Sequence, residues 1–438
     1  MKPKRLYFIL IGSLVLVSLN TLEAQETYKK RVLEVAEVAF LSSYYTQDGS
    51  NAAVSGGIGT EDLTDATGTF VVSIPLNDDD VLTVDAGISA YTSASSSNVN
   101  PFDGSGPADA FQASSGASGN DIWSNLTLGY SHNSDDRNTI WTAKLAVATE
   151  YDYFSLGLGG SFTRLFNEKN TELGINTNIY LDKWNAIYPT ELRPFISGGD
   201  GINDPFFSVN TISGNPNYDP SFTAFDQENR NSYSLGVNLS QILSKKLQGA
   251  LIADLVLQEG LLSTPFQRVY FGDVADSFIQ NFQLADDIER LPETRWKVAL
   301  GGRLNYYLNE IVVIRSYYRY YSDDWGIRSH TANLEIPVKI SDSFTLYPSY
   351  RYYTQTAADY FAAYEENLSS DIFYTSDYDL SEYNANQFGM GITYTDIFTN
   401  LRIWKIGLKQ IDLKFDHYER NSGLAANIAS LSFTFLMD

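Results

Sequence analysis

Apolar and polar side chains take turns along most of this chain. Leu82, Val84, Ala86, Ile88 and Ala90 alternate with Thr83, Asp85, Gly87, Ser89 and Tyr91. Leu173, Ile175, Ile179 and Leu181 alternate with Glu172, Asn176, Asn178 and Asp182, and Trp296, Val298, Leu300, Leu304 and Tyr306 with Arg295, Lys297, Arg303 and Asn305. Near the end, Ala429, Leu431, Phe433 and Phe435 alternate with Ser430, Ser432 and Thr434. A period of two puts successive side chains on opposite faces of a strand, and a helical period fits none of these windows.

On this basis strands are predicted near 32–46, 67–76, 81–92, 120–132, 138–150, 152–166, 171–184, 231–243, 247–258, 294–308, 311–322, 327–340, 344–357, 385–395, 409–419 and 426–437. The connections supply an independent test. Links after strands two, four, six, eight, ten and twelve are short, such as Asn77-Asp78-Asp79 and Ser244-Lys245-Lys246, and only the one after strand fourteen, near 396–408, is longer. The other long links, 47–66, 93–119, 185–230, 259–293 and 358–384, all follow odd-numbered strands. Short turns at one end and long loops at the other define an all-β transmembrane antiparallel barrel of about 16 strands, with periplasmic turns, extracellular loops and both termini periplasmic. Closure is what makes such strands tolerable in lipid, where an unpaired backbone group has no water to bond. Pro337 and Pro348 fall inside two proposed strands, where each removes a ladder donor, and are expected at bulges or at the membrane border.

Composition agrees. Tyr 30 and Phe 25 bring the aromatic share to 14%, yet mean hydropathy is only -0.21, as suits a sheet with one oily face and one wet face. Lys2, Lys4 and Arg5, an apolar run from Leu6 to Leu19 and Leu22-Glu23-Ala24 make a signal-peptide layout. The apolar run falls short of the ~20 residues that a spanning helix needs. The chain is therefore divided into a signal peptide, 1–24, and a single outer-membrane barrel domain, 25–438. The formal net charge of -23 repels nucleic acid, and losing Lys2, Lys4, Arg5 and Glu23 makes the mature chain more negative still. With Cys 0, neither a disulfide framework nor a thiolate site is available.

Several stretches, taken together, resemble the family catalogued as domain of unknown function 3570, from the outer membranes of Gram-negative bacteria. They are Glu37 to Asp65 (EVAFLSSYYTQDGSNAAVSGGIGTEDLTD), Glu150-Tyr151-Asp152-Tyr153, Glu259 to Phe271 (EGLLSTPFQRVYF), Arg315 to Tyr321 (RSYYRYY) and Tyr353 to Phe361 (YTQTAADYF). The resemblance implies a barrel in outer-membrane lipid and no established activity. It also implies a genetic neighbourhood with a thioredoxin-like protein, a small lipoprotein and a flavin transferase, hence an envelope lipoprotein or redox partner, although this chain has no Cys with which to shuttle electrons.

Strand parity points Lys144, Asp182, Asp254, Arg303, Arg315, Arg319, Glu335, Arg351, Asp412 and Lys414 into the lumen. Two readings stand side by side. In one, opposed acids and bases set a transverse field that orients solutes; in the other, they pair and stiffen the wall. Tyr317, Tyr318, Tyr320, Tyr321, Tyr350, Tyr352 and Tyr353 interleave with the bases, and those on the lipid face read as an interface girdle.

Asp200, Asn203 and Asp204 have a spacing that offers hard oxygen ligands to Ca²⁺, without the closing acid of an EF-hand loop, and no other cofactor is expected. The glycine-rich run Ser55 to Thr60 has neither the Lys-Ser/Thr nor the βα setting of a phosphate cradle and reads as a tight external loop, folded inward. A barrel hydrolase would need a His beside a Ser or an acid pair, and only His132, His330 and His417 are at hand. Ser329 and His330 are sequence neighbours and so face opposite ways. The leading expectation is a non-enzymatic channel or transporter. The alternatives are a non-conducting scaffold barrel that docks an envelope partner and, third, a hydrolase.

Overall fold

The computed structural model describes residues 30–93 and 120–437. The expected signal peptide, 1–24, and nearly all of the expected loop 93–119 lie outside the described residues. Sixteen long antiparallel strands form one closed barrel. They are β1 (Ala36–Asp48), β2 (Leu63–Pro75), β3 (Asp80–Ser93), β4 (Asn120–Asn133), β5 (Thr139–Thr149), β6 (Tyr153–Phe166), β7 (Thr171–Asn185) and β8 (Gln227–Ser244). There follow β9 (Leu247–Gly260), β10 (Thr294–Tyr307), β11 (Val313–Asp323), β12 (Arg328–Glu335), β13 (Phe344–Gln355), β14 (Tyr383–Thr395), β15 (Ile406–Arg420) and β16 (Ala425–Met437). Every predicted strand has its counterpart here. Each pairs with its sequence neighbour, and β1 pairs with β16 from Ala36↔Met437 to Asp48↔Ala425, so no edge is left. No described helix is long and apolar enough to cross a membrane.

The register makes the wall two-faced. On the outer face stand Leu126, Leu145, Leu158, Leu235, Leu255, Leu300 and Leu413, all exposed; Leu300 keeps 51% of its surface. Leu251, Gly302, Tyr318 and Ala332 meet in one directly opposed row across β9 to β12, so the face is kept from strand to strand. Tyr318, Tyr320, Tyr350 and Tyr352 share this outer face, whereas Tyr317, Tyr321 and Tyr353 face the interior. In a soluble protein such an apolar skin would be an aggregation hazard; in hydrocarbon it is the required surface.

The two prolines are not at bulges. β12 stops at Glu335, just short of Pro337, and pairing resumes at Val338–Lys339, yet Glu335↔Ser349 and Val338↔Leu346 keep one register across the gap. Pro348 lies within β13, opposite Met390, and accepts from the Ile336 N–H at 3.0 Å. The two missing donors therefore fall together, and one short interruption of the ladder accommodates both. Register shifts occur elsewhere, at Leu247/Gln248 and at Leu408/Gln410.

One end carries the short turns, from 76–79 to the small hairpin 396–405. The other carries the long links 49–62, 186–226, 261–293 and 356–382. Most of the buried apolar core lies in these links: Leu192, Val269, Tyr270, Phe282, Leu284, Ala285 and Tyr374 are all nearly inaccessible. The links form a packed cap on the long-loop end.

Placing a charge on the skin should cost far more than placing one inside. Leu300→Arg, near mid-depth, is expected to lose about 2–4 kcal/mol, and Asn178→Arg, on the interior face, much less. Urea unfolding in lipid vesicles measures both; equal losses would mean that the faces are assigned wrongly.

Candidate functional site

Two features can carry function, the interior wall and the cap. All ten lumen candidates from the sequence fall on the interior face. Lys144 opposes Gly129 and Gly159, Asp182 opposes Arg230, and Asp254 opposes Gly236 and Ala299. Arg303, Tyr317, Asn333, Arg351 and Gln387 form a single row of directly opposed residues across β10 to β14. Arg315, Glu335 and Ser349 form the next row toward the short turns, and Arg319, Thr331 and Tyr353 the next toward the cap.

The candidates differ in what they meet. Arg315 Nη1 donates to Glu335 Oε1 at 2.8 Å, and Lys414 Nζ lies 2.9 Å from Asp416 Oδ1. Asp182 accepts from the Tyr153 hydroxyl at 2.6 Å, and Asp412 accepts from the Tyr347 and Thr393 hydroxyls. By contrast, Arg303, Arg319 and Arg351 have no carboxylate within ion-pair distance among the described residues; Arg303 lies over the Tyr317 ring, 5.8 Å from its centroid. Pairing and an uncompensated charge therefore coexist on one wall.

The interior is also lopsided in size. On β6 to β8 it presents mostly small groups, Ser155, Gly157, Gly159, Ser161, Asn176, Asn178, Ser232, Ser234 and Gly236, with Tyr180 and Asp182 among them. The arginines and tyrosines of β10 to β13 project from a neighbouring arc of the ring. Small side chains therefore dominate one arc of the wall, and long cationic and aromatic ones another.

The cap is tied across the mouth by Arg268, which is 1% exposed. Its Nε and Nη2 donate to the two carboxylate oxygens of the fully buried Glu191 at 2.6 and 3.1 Å, and its Nη1 donates to the Val54 carbonyl at 3.1 Å. Three links, from β9–β10, β7–β8 and β1–β2, thus meet at one guanidinium. On either side the cap reaches the barrel wall. Phe266 packs edge-on against Trp184 of β7, while Gln267 donates to Asp377. The link of Asp377 is in turn held by Arg420 of β15 on Asp379 at 2.5 Å and by Gln355 of β13 on the Asp379 and Ser381 carbonyls. In a ring of sixteen strands β7 and β15 are diametrically opposed, so the cap spans the opening.

The glycine-rich run is part of this cap. Gly56 and Gly57 have φ of 78° and 89°, and a Cβ on either would fall 2.6 Å from the Tyr270 ring or 2.7 Å from the Ser376 carbonyl. Only glycine fits both the backbone and the space.

Sequence reading missed the acids of the cap. Glu289 accepts from the Thr264 N–H at 2.7 Å and the Thr375 hydroxyl at 2.7 Å, and burial pushes its carboxyl up to about 8. Burial likewise raises Asp286, Asp287 and Asp377 to about 6. The available signal was the apolar content of the link, since Leu262, Val269, Phe271, Phe282, Leu284 and Leu291 do not suit a solvated loop.

The remaining expected sites are placed differently. Asp200 precedes and Asn203 closes a single 3₁₀ turn, and Asp204 Oδ1 caps a short helix by accepting from the Phe206 N–H at 2.8 Å. Among the described residues no three His, Cys, Asp or Glu side chains group as metal ligands do. All three histidines stand on the outer face. His132 Nδ1 is 2.6 Å from Asp80, His330 Nδ1 is 2.6 Å from the Tyr318 hydroxyl, and His417 lies between Asn427 and Glu419.

An apolar skin, a polar interior and a cap over one end define a transmembrane β-barrel of the outer-membrane kind. The family model described as "Protein of unknown function (DUF3570)" matches residues 14–429, and the chain belongs to that family. No curated protein matches it. Among solved structures it is similar to a bacterial polysaccharide outer membrane secretin, at 12% identity and TM-score 0.44 over 93% of this chain and 100% of that one. It is also similar to the outer membrane protein OpdK from Pseudomonas aeruginosa, at 8% identity and TM-score 0.37 over 92% and 99%. A third is the toluene transporter TodX from Pseudomonas putida, at 9% identity and TM-score 0.38 over 92% and 89%.

Two outcomes are expected of the cap. Arg268→Ala leaves Glu191 buried and unpaired, a loss of about 3–5 kcal/mol, so limited proteolysis should cut the cap while the barrel stays intact; an uncut cap would refute the central role of the pair. The second concerns pH. Below about pH 4 both folded and unfolded chains hold these carboxyl protons. As pH rises, the unfolded chain gives them up first, so the cap loses stability until pH passes about 6 for the aspartates and about 8 for Glu289. Cap proteolysis should be faster at about pH 8.5 than at about pH 5, and Glu289→Gln should shrink the difference; a pH-independent rate in both proteins would contradict it.

Proposed function

We propose that this protein is an outer-membrane conduit for polar solutes, reaching its membrane through its N-terminal signal peptide and closed on the extracellular side by the folded cap. The observation that carries the reading is the interior itself. It is lined with Ser, Asn, Gly and uncompensated arginines, and a barrel with no passage to provide could fill that space with apolar packing. Histidines confined to the outer face further support a conduit over a hydrolase. Passage requires the cap to shift.

Planar-bilayer recording of the purified chain tests this. The intact protein should be mostly closed with occasional openings, and Arg268→Ala should raise the open fraction. A folded barrel that stays silent in both forms overturns the reading. It would favour the second one, a non-conducting scaffold whose packed cap docks a lipoprotein or a thioredoxin-like partner of the envelope.

A further inference from the structure

We infer that the interior wall of β11 to β14 holds a binding site for small organic carboxylates, centred on Arg351. This deepens the conduit reading by naming the solute class. A cleft of about 210 Å³ opens there, lined by Tyr317, Asn333, Glu335, Ser349, Arg351 and Lys414 among others. That is room enough for the body of a small carboxylic acid.

Charge decides the ligand's sign. Glu335 is already engaged by Arg315 at 2.8 Å, and Lys414 by Asp416 at 2.9 Å, so the formal charges of those two pairs cancel. Arg351 has no carboxylate at ion-pair distance among the described residues. The register sets two more such guanidiniums nearby: Arg303, three strands along the same row, and Arg319, one row toward the cap. At ~4.8 Å per strand, Arg303 and Arg351 stand roughly 14 Å apart around Tyr317 and Asn333. The local excess is positive, and a planar fork of N–H donors matches a carboxylate with two parallel bonds. Asn333 and Ser349 add neutral donors, and the Tyr317 ring offers a flat apolar surface for the body of the acid. Phosphate has no apolar body to lay on the Tyr317 ring, so the cleft favours an organic carboxylate over it.

Isothermal titration of the full-length protein in detergent with sodium benzoate, and separately with inorganic phosphate, tests the site without needing conductance. Benzoate should bind, and phosphate more weakly. Arg351→Ala should weaken benzoate binding at least about tenfold, the loss of one charge-assisted hydrogen-bonded contact. Arg351→Lys should recover only part, since it restores the charge and not the fork. Retention of the heat-modifiable barrel band on gels checks that each variant is folded. Benzoate affinity unchanged by Arg351→Ala, or phosphate bound more tightly than benzoate, overturns the proposal. Failure here alongside bilayer conductance removes the carboxylate site and leaves the conduit standing. Arginine-dependent binding in a barrel that never conducts removes the conduit and leaves the site.

Discussion

Hydrocarbon cannot accept or donate a hydrogen bond, and nearly everything in this molecule follows from that. A strand placed in lipid must give both edges of its backbone to other strands, so the sheet closes on itself through β1 and β16. Once it is closed, every side chain in the membrane has only two directions to point. The outward one is fixed by the solvent, which explains the monotony of Leu, Val, Phe and Tyr there. The inward one is free of that demand, and there the sequence diversifies into hydroxyls, amides, glycines and arginines.

The division of the chain into wall and cap reflects two different sources of stability. The wall has hardly any core in the usual sense, because its apolar side chains face lipid and its cohesion comes from backbone ladders. The cap is built like a small soluble protein, with buried tyrosines and phenylalanines around a guanidinium–carboxylate pair. Such a pair is worth little net of its desolvation but is costly to break, so it specifies how the links meet more than it strengthens them. Buried acids such as Glu289 leave the cap less secure than its packing suggests.

How legible this was from sequence depended on periodicity. A two-residue period survives in every strand, so positions such as Lys144 and Arg351 could be assigned a face by counting, and the register of the sheet agrees. The cap has no period. Its Glu191, Arg268 and Val54 are brought together from three separate links, and nothing local in the sequence marks such a meeting. Neutralisation of particular lumen charges was equally invisible: that Arg315 meets Glu335 whereas Arg319 meets Thr331 depends on which residues the register sets directly across from each other. Pro337 and Pro348 make no bulge for the related reason that neighbouring strands bring their gaps together.

The seam has a bearing on how the molecule comes to exist. Lys409 reaches Glu37 at 2.7 Å across 372 residues of chain, and the whole of β1 waits for β16 before its free edge is covered. The first strand of the sheet therefore keeps one unsatisfied edge until the sixteenth is added. Such long-range closure is slow and leaves sticky intermediates, so assembly of this protein depends on keeping the unfinished sheet away from other chains until β16 is in place.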